Sequence, residues 1–327
     1  MKKIYFIINP KARNGYCLKV WKKVENQVKK AKLPYFAFFT EYSGHAQILA
    51  SQISKQNEDP KLVIAVGGDG TVHEVVNGLI NQQNVTLGFI PGGSGNDFSR
   101  GFHIPGEPLE ALSIIIRLWK TESGLIDIGK IMMNDQSKQF FINNMGAGFD
   151  AAISYDVNHS SIKALFNKLS MGRLIYAYFL LKKVFTYKTS TIYLSINGVK
   201  HIFENTWFVT VSNQPYYGGG MKIAPNAAVD DGQFDITVVH QLSRIKLLLV
   251  FISVFWGKHV YFKEVKTFRG REILIESDKH LYVHADGEHI GHTPLNIHLL
   301  DSAIPVLSRC IRKGEADLKE RESDDFC

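Results

Sequence analysis

Apolar runs and helical spacings alternate along the first part of the chain. Near-continuous apolar stretches, typical of strands buried on both faces, read IYFIIN, PYFAFFT, KLVIAV and VTLGFI. Between them, apolar residues recur at the spacing of one helix face in LKVWKKVENQVKKAK, in GHAQILASQISKQ and in the segment that follows Asp69. This alternation predicts a parallel α/β sheet as the first domain, over residues 1–130.

The pattern changes near residue 131 to short strand-like runs bounded by turn residues. They read QFFINNM, STIYLSIN, TWFVTVS, QFDITVV, EILIES, LYVHADG and PLNIHLL, which is typical of an all-β fold. We therefore predict a β-rich, sandwich-like second domain over residues 131–303. Residues 314–327 are charged and poor in apolar side chains, so we expect a disordered tail there.

Two longer apolar segments, residues 162–185 and 242–256, interrupt the β pattern and are predicted as helices. Their most apolar stretches, LIYAYFLL and LLLVFISVFW, are shorter than the ~20 residues that a membrane span needs. We expect most of their side chains to pack in the core. Aromatic residues beside Lys182, Lys183 and Lys258 would suit a lipid interface, so we also expect some edge of the second domain to contact a membrane surface.

Composition indicates the cellular environment of the protein more clearly than it indicates a function. The 327 residues, with 45% hydrophobic and 21% charged residues, suffice for two domains with cores. The three cysteines form no CxxC pair, which argues against a disulfide framework and favours a reducing, intracellular setting. The histidines at positions 284, 289, 292 and 298 match no zinc motif. A net charge of +7 attracts nucleic acid, anionic lipid or a phosphorylated ligand without choosing among them.

A glycine-rich turn follows the KLVIAV strand and carries a carboxylate. Gly67, Gly68, Asp69 and Gly70 stand between the strand and a helical pattern. Thr71 and Glu74 match a capping box, which predicts that the helix begins at Thr71 with its N–H groups directed at the loop. Such a helix start binds phosphate, although a tight turn without a ligand would also use one or two of these glycines.

A second loop of the same kind, PGGSGNDF, follows the next strand and carries Asp97. The carboxyl ends of neighbouring parallel strands meet at one edge of the sheet, so we expect the two loops to face one crevice. Carboxylates beside phosphates repel them unless a cation lies between, so Asp69 and Asp97 predict Mg²⁺ bound between phosphate and protein. The chain has neither GxxxxGK[ST] nor an HRD-type loop, which excludes the usual P-loop and protein kinase patterns.

The stretch LYVHADGEHIG offers two more carboxylates. In an extended strand, Asp286 and Glu288 would share a face, one as a general base and the other in a metal network. The alternative is a polar hairpin turn at Asp286 and Gly287, flanked by solvated charges. Phosphoryl transfer from ATP to an alcohol needs both phosphate neutralisation and a base near the hydroxyl, which the first of these interpretations would supply.

An ordered set of motifs resembles the bacterial diacylglycerol kinase and lipid kinase family, which is related to the sphingosine kinases. The motifs are GGDGTVHEVVNGL, PGGSGNDFSR, GLIDIG, YYGGGMKIAPNAAVDDGQFD and HADGE, and the match begins near the start of the chain at NPKARNG. NAD kinases share the glycine motif alone. Two positions depart from the family pattern: Ser94 stands where threonine is more frequent, which preserves the hydroxyl, and His73 replaces the usual asparagine, as it does in sphingosine kinases.

The resemblance implies a role for each matching residue. The ATP-binding set would be Asn9, Pro10, Lys11, Ala12, Arg13, Thr40, Gly67, Gly68, Asp69, Gly70, Thr71, Glu74 and Ser94. Asp69, Asp97, Asp127 and Glu288 would organise catalytic Mg²⁺ through waters, and Asp286 would be the general base. A structural Mg²⁺ would be held by the Asp231 carboxylate and by the backbone carbonyls of Ala228 and Gln233.

The implied architecture is a Rossmann-like ATP-binding domain followed by a β-rich lipid-binding domain, with residues 304–313 rejoining the first. The implied activity is ATP- and Mg²⁺-dependent transfer of the γ-phosphoryl group to a lipid hydroxyl, converting diacylglycerol to phosphatidic acid. The implied location is the cytoplasm, at the inner face of the membrane. No nucleic-acid partner is expected, and a homodimer is a possible oligomeric state. An NAD kinase-like enzyme and a non-enzymatic lipid- or nucleotide-binding regulator are the alternatives.

Overall fold

The computed structural model describes residues 3–56, 59–80, 82, 84–120, 123–160 and 172–308, with no side chains described for residues 172–177. The predicted tail, residues 309–313 and the beginning of the first apolar helix therefore lie outside the described residues. The chain forms two compact units. The first comprises Met1–Asp127, Val229–Asp231 and Asp301–Cys327, and the second comprises Ile128–Ala228 and Gly232–Leu300.

The first unit contains the parallel α/β sheet that the apolar pattern predicts. Its strands are β1 (Lys3–Ile8), β2 (Tyr35–Phe39), β3 (Lys61–Gly67) and β4 (Val85–Pro91), in the order β4-β3-β1-β2. All four are parallel, and β3 is buried along its whole length. The helices are α1 (Tyr16–Lys30), α2 (His45–Ser54), α3 (Asp69–Leu79), α4 (Asp97–Gly101) and α5 (Pro108–Leu118).

A strand from the end of the described chain completes this sheet. Val306 pairs in parallel with Leu87 of β4, and the Leu307 amide donates a hydrogen bond to the Leu87 carbonyl. The apolar side chains at Ile304, Val306 and Leu307 are buried, which gives this short pairing its hydrophobic anchor.

The second unit is built from antiparallel strands. They are β6 (Lys138–Phe141), β7 (Asn144–Gly148), β8 (Ser190–Ile196), β9 (Val199–Ser212), β10 (Phe234–His240), β11 (Val265–Gly270), β12 (Glu272–Ser277), β13 (Tyr282–Ala285) and β14 (Glu288–His292). The chain passes between the units within β5 (Gly124–Met133) and β15 (Leu295–Val306). The long strand β9 pairs with β8 through its first half and with β7 and β10 through its second half.

Two strand predictions in this unit are corrected. QFFINNM forms two strands instead of one, because the backbone amides of Ile142, Asn143 and Asn144 turn away from the ladder to donate to the Asp286 carboxylate. The strand β11 was missed because its sequence, VKTFRG, is polar, and only its ends are buried.

Helices α6 (Phe149–His159), α7 (Gly172–Thr186) and α8 (Arg244–Val254) also belong to the second unit, and a 3₁₀ turn, Lys258–Tyr261, follows α8. An apolar cluster around Trp207 packs against α6 and α8. The expectation that most side chains of residues 242–256 lie in the core is wrong. Exposed apolar side chains in this segment are Ile245, Leu249, Ile252, Phe255 and Trp256, because only one face of α8 packs on the cluster. Among the described residues, no helix has the length and apolar character to cross a membrane.

Candidate active site

The two glycine loops lie against each other at the carboxyl ends of β3 and β4. The Gly92 amide donates a 2.7 Å hydrogen bond to the Gly67 carbonyl. A Cβ atom added at Gly93 would stand 2.3 Å from the Cα of Gly68, a separation that no side chain tolerates. Glycine is therefore required at Gly93 for this close backbone approach. The structure places the loops side by side, as the parallel register of β3 and β4 requires.

The carboxylates of both loops face the same glycine. A Cβ atom added at Gly95 would lie 2.8 Å from Asp69 Oδ2 and 4.0 Å from Asp97 Oδ2. The Asp69 Oδ1 atom accepts a 2.9 Å hydrogen bond from the Phe98 amide, which fixes one loop to the first turn of α4. Arg100 binds Asp97 Oδ1 at 2.6 Å and the Gly95 carbonyl at 2.6 Å, so a guanidinium charge also stands at this edge.

The donor set beside Gly95 suits a hard cation. Mg²⁺ prefers oxygen ligands and keeps several of its waters, so two convergent carboxylates fit a site that binds it with its water shell. Within the described part of the chain, no group of three or more His, Cys, Asp or Glu side chains is arranged to hold a metal ion directly. Asp69 and Asp97, the latter also paired with Arg100, are thus oxygen donors of the kind that Mg²⁺ takes through its water shell.

The other residues of the predicted ATP-binding set come from the same edge of the first sheet. Asn9 follows β1, and its side-chain amide donates to the Thr71 hydroxyl at 3.2 Å. The Lys11 amide donates to Asn9 Oδ1 at 3.1 Å, which shapes the turn that contains Pro10 and Ala12. Arg13 has a left-handed backbone conformation and lies over the Tyr16 ring. Thr40, which follows β2, is buried, whereas Ser94 is exposed in the second glycine loop.

The predicted capping box at Thr71 and Glu74 is wrong. Helix α3 begins at Asp69, two residues earlier, with the extended residue Gly68 as its N-cap. The Glu74 carboxylate instead accepts hydrogen bonds from the Gly44 amide at 2.8 Å and from the Ala46 amide at 3.0 Å. Glu74 therefore caps the neighbouring helix α2, which has no side-chain cap of its own. Its assignment to the ATP-binding set stays a prediction.

In the second unit, Asp286 occupies a two-residue hairpin turn between β13 and β14. Both Asp286 and Gly287 have positive φ angles, of 49° and 88°, and the strands close with Ala285 opposite Glu288. The expectation that Asp286 and Glu288 share a strand face is therefore wrong, and the observed geometry is the hairpin turn of the alternative. The reason is local, since an Asp-Gly pair adopts the left-handed conformations that a tight hairpin turn needs. The role of Asp286 as a general base stays a prediction.

The Asp286 carboxylate is bound by backbone amides where the chain passes from β6 to β7. Its Oδ1 atom accepts hydrogen bonds from the Asn143 amide at 2.8 Å and the Asn144 amide at 3.1 Å, and Oδ2 accepts one from the Ile142 amide at 3.0 Å. The Asp286 amide in turn donates to the Asn144 carbonyl at 2.8 Å. These charge-assisted contacts fix the orientation of the carboxylate.

A buried His-Asp pair supports the same turn from the side of α6. The Gly287 amide donates to His284 Nδ1 at 3.3 Å, and His284 Nε2 lies 3.2 Å from Asp150 Oδ2. Ser154 Oγ donates to the Gly287 carbonyl at 2.6 Å. Sequence reasoning missed Asp150 and Ser154. A lone aspartate in the apolar stretch GAGFDAAI was the available signal.

The remaining predicted site residues are Asp127, Glu288 and the predicted ligand set of a structural Mg²⁺, and each lies in a different segment of the chain. Asp127 is buried in β5, where Oδ1 accepts from the Ser302 amide at 2.9 Å and the Asp127 amide donates to the Val229 carbonyl. Glu288 is exposed at the start of β14. The residues predicted to hold a structural Mg²⁺, namely Ala228, Asp231 and Gln233, lie in the turn-rich segment that precedes β10. Their role as metal ligands stays a prediction.

Comparison with known proteins gives a consistent family assignment. Residues 3–131 match the family model described as the diacylglycerol kinase catalytic domain, and residues 143–308 match the YegS C-terminal NAD kinase beta sandwich-like domain. These matches cover the α/β unit and the β-rich unit in turn, so the predicted fold class is confirmed.

Individual relatives match over most of their length. The chain is 35% identical over 296 residues to a Bacillus subtilis protein named "Putative lipid kinase YtlR", covering 90% of this chain and 95% of the relative. It is 31% identical over 261 residues to a diacylglycerol kinase of Mycobacterium tuberculosis, covering 80% of each. The crystal structure of a "putative diacylglycerol kinase" from Bacillus anthracis str. Sterne superimposes with a TM-score of 0.74 at 28% identity, covering 94% of this chain and 95% of that one. The chain therefore belongs to the bacterial diacylglycerol kinase and lipid kinase family, and it is a lipid kinase.

Proposed function

We propose that this lipid kinase uses ATP and Mg²⁺ to phosphorylate the hydroxyl group of diacylglycerol, giving phosphatidic acid. The observation that carries the nucleotide part is the pair of touching glycine loops with Asp69 and Asp97 facing Gly95. Relatives named diacylglycerol kinase support the choice of acceptor. Because the acceptor is a membrane lipid, we also propose peripheral contact with the inner face of the membrane.

In this proposal, the first unit binds the phosphates of ATP. Backbone amides of the glycine loops and of the first turn of α3 donate to phosphate oxygens, and the helix dipole favours the same charge. Asp69 and Asp97 would hold Mg²⁺ through its water shell, with Asp127 and Glu288 as further members of the network. When bound, Mg²⁺ supplies neutralisation of the charge that develops on the phosphoryl oxygens.

The second unit supplies the base in this proposal. The lipid oxygen forms a bond to the γ-phosphorus, the bond from that phosphorus to the leaving oxygen of ADP breaks, and the hydroxyl proton passes to the Asp286 carboxylate. The three amides that bind this carboxylate orient it, which is what a base needs in order to align an attacking hydroxyl. The transition state of phosphoryl transfer is largely dissociative, so alignment matters more here than full removal of the proton.

The test is Asp286→Asn, with lipid phosphorylation and ATP binding measured on the same preparation. We expect kcat to fall by about 10²-fold, at the lower end of the range for loss of a general base, with ATP affinity nearly unchanged. Asp278→Asn is the matched control. That carboxylate also binds a backbone amide beside a turn of the second unit, at 3.1 Å from Thr191, but it has no proposed chemical role.

Four outcomes would contradict the proposal. Normal phosphorylation by the Asp286→Asn variant would remove this residue from the mechanism. Parallel losses of ATP binding and rate would reassign it to a structural role. Formation of NADP from NAD, with no labelled product from a detergent-dispersed lipid panel analysed by mass spectrometry, would favour the NAD kinase-like alternative. No product from either acceptor would favour a non-enzymatic regulator.

A further inference from the structure

Helix α8 exposes one continuous apolar stripe. Its inner face, formed by Leu247, Val250 and Val254, is buried against the second unit. The exposed fractions on the opposite side are 76% for Ile245, 60% for Leu249, 55% for Ile252 and 67% for Trp256. Ile245, Leu249 and Ile252 are spaced by four and three positions, so they form a stripe on one side of α8, and Trp256 follows two residues after the helix ends at Val254.

Exposed aromatic side chains also follow the helix in the sequence. Phe255 is 48% exposed, and Tyr261, in the 3₁₀ turn, is 85% exposed. We call the six residues Ile245, Leu249, Ile252, Phe255, Trp256 and Tyr261 the docking face. Contiguous exposed apolar surface of this kind marks a contact site with another apolar surface, whereas scattered single residues do not.

The charged side chains of α8 and of the segment that follows it are all basic. Residues 243–263 include four basic residues and no aspartate or glutamate. Lys246 pairs with Glu264 at 2.6 Å, whereas Lys258 and Lys263 are exposed beside the aromatic end of the docking face. Apolar and aromatic side chains bordered by lysines are the combination by which peripheral proteins bind an anionic bilayer, with tryptophan and tyrosine at headgroup depth.

We propose that the docking face inserts into the headgroup region of an anionic lipid bilayer. This inference rests on the proposed function, in that the substrate is a lipid, and it identifies the surface through which the kinase meets the membrane. A second copy of the chain is the less suitable occupant, because two-fold pairing of this face would bring the exposed lysines of the copies together.

The neighbouring helix adds to the same surface. The Arg244 guanidinium donates to the Val184 carbonyl at 2.9 Å, which ties the start of α8 to the end of α7. Phe185, the next residue of α7, is 65% exposed. The apolar surface therefore continues from α8 onto α7, and this larger area strengthens the expected partition into lipid.

The experiment is co-sedimentation of the purified full chain with vesicles, without ATP. One set contains 30% phosphatidylglycerol in phosphatidylcholine, and the other is phosphatidylcholine alone. We expect stronger binding to the anionic vesicles, and we expect the triple variant Leu249→Ser, Ile252→Ser, Trp256→Ser to reduce that binding at least about tenfold, because three inserted apolar side chains are lost. Lys258→Glu with Lys263→Glu should remove most of the preference for anionic lipid.

The matched control is Val199→Ser with Ile202→Ser. These β9 residues are 59% and 65% exposed in the same unit but lie outside the docking face, so binding should stay within about twofold of the original protein. Melting curves of all variants establish that each is folded. Unchanged vesicle binding by the folded triple variant would overturn the proposal. So would an original protein that forms a dimer and does not bind vesicles, if the triple variant is a monomer.

Activity assays separate this inference from the proposed function. With diacylglycerol dispersed in detergent micelles, the triple variant should keep the kcat of the original protein, whereas its rate on vesicle-borne diacylglycerol should fall with its binding. Lost activity in both assays would contradict a role confined to docking. Vesicle binding that depends on the docking face in a protein without lipid kinase activity would leave the docking surface standing and would refute the proposed reaction.

Discussion

At the scale of single residues, the turn that bears Asp286 is positioned by a His-Asp pair whose aspartate lies far away in the sequence. His284 accepts from the Gly287 amide through Nδ1 and contacts buried Asp150 through Nε2. None of these atoms belongs to the proposed ATP-binding set. The pair is a positioning device in the second unit, and its effect should appear in turnover and not in nucleotide binding.

We predict that His284→Ala lowers kcat by about 10- to 100-fold, because a shift of the turn misplaces the base. The KM for ATP should stay within about twofold. His284→Asn, whose side-chain oxygen takes the position of Nδ1, should have a higher kcat than the alanine variant. His284→Gln, whose longer side chain places its amide nitrogen near the position of Nε2 beside Asp150, should recover less. His280→Ala is the control, since that ring contacts the Thr293 carbonyl away from the turn. Equal losses of kcat and ATP affinity would point to a merely structural residue.

At the scale of secondary-structure elements, the start of helix α2 is capped by a side chain of the neighbouring helix α3. Helix α2 follows Gly44, which has a left-handed conformation and no side chain to cap the helix. Glu74 of α3 supplies both missing contacts, at 2.8 Å and 3.0 Å. Glu74, which follows Thr71 by three residues, thus caps α2 and not its own helix. The packing of α2 on α3 determines which N–H groups its carboxylate reaches.

We predict that Glu74→Ala lowers the free energy of unfolding by about 1–2 kcal/mol, because two amides at the start of α2 lose their acceptor. Glu74→Gln should cost less, since its amide oxygen still accepts one of the two hydrogen bonds. Urea unfolding followed by circular dichroism measures both. An alanine variant as stable as the original protein would show that water replaces this cap without cost.

At the scale of the whole molecule, two histidines with lowered pKa values, buried His259 and half-buried His240, should make stability depend on pH. His259 is fully buried, and burial lowers its pKa below the usual value, although the hydrogen bond between Nε2 and the Ile223 carbonyl acts in the opposite direction. The pKa of His240 is lowered as well, by burial and then by Lys266. Both rings are therefore neutral in the folded protein near pH 7.

We predict that the free energy of unfolding falls as the pH is lowered from 7.5 to 5.5. The unfolded histidines bind protons near pH 6.5, whereas the folded rings do so only at lower pH. The stabilisation is therefore present above the unfolded pKa and is lost as the pH falls through the folded pKa, with a slope of at most ~1.4 kcal/mol per pH unit for each ring. His259→Gln should flatten this dependence in urea titrations at each pH. If the free energy of unfolding of the original protein does not change between pH 7.5 and pH 5.5, the prediction is contradicted.

The sequence by itself determined the features that depend on near neighbours. The apolar periods specified the strands of the first sheet, the glycine loops marked its carboxyl edge, and the Asp-Gly pair specified the hairpin at Asp286, because backbone preference and side-chain period act over a few residues. The ordered motifs extended this local information to the family.

Only the tertiary structure decided which distant groups meet. The Asp286 carboxylate binds amides more than 140 positions earlier, and Asp150 meets His284 across 134 positions. Packing of one face of α8 likewise left Leu249 and Ile252 exposed in a helix whose sequence is largely apolar. Such contacts follow from how whole elements pack, since a helix or strand that buries one face presents its other face wherever the fold directs it.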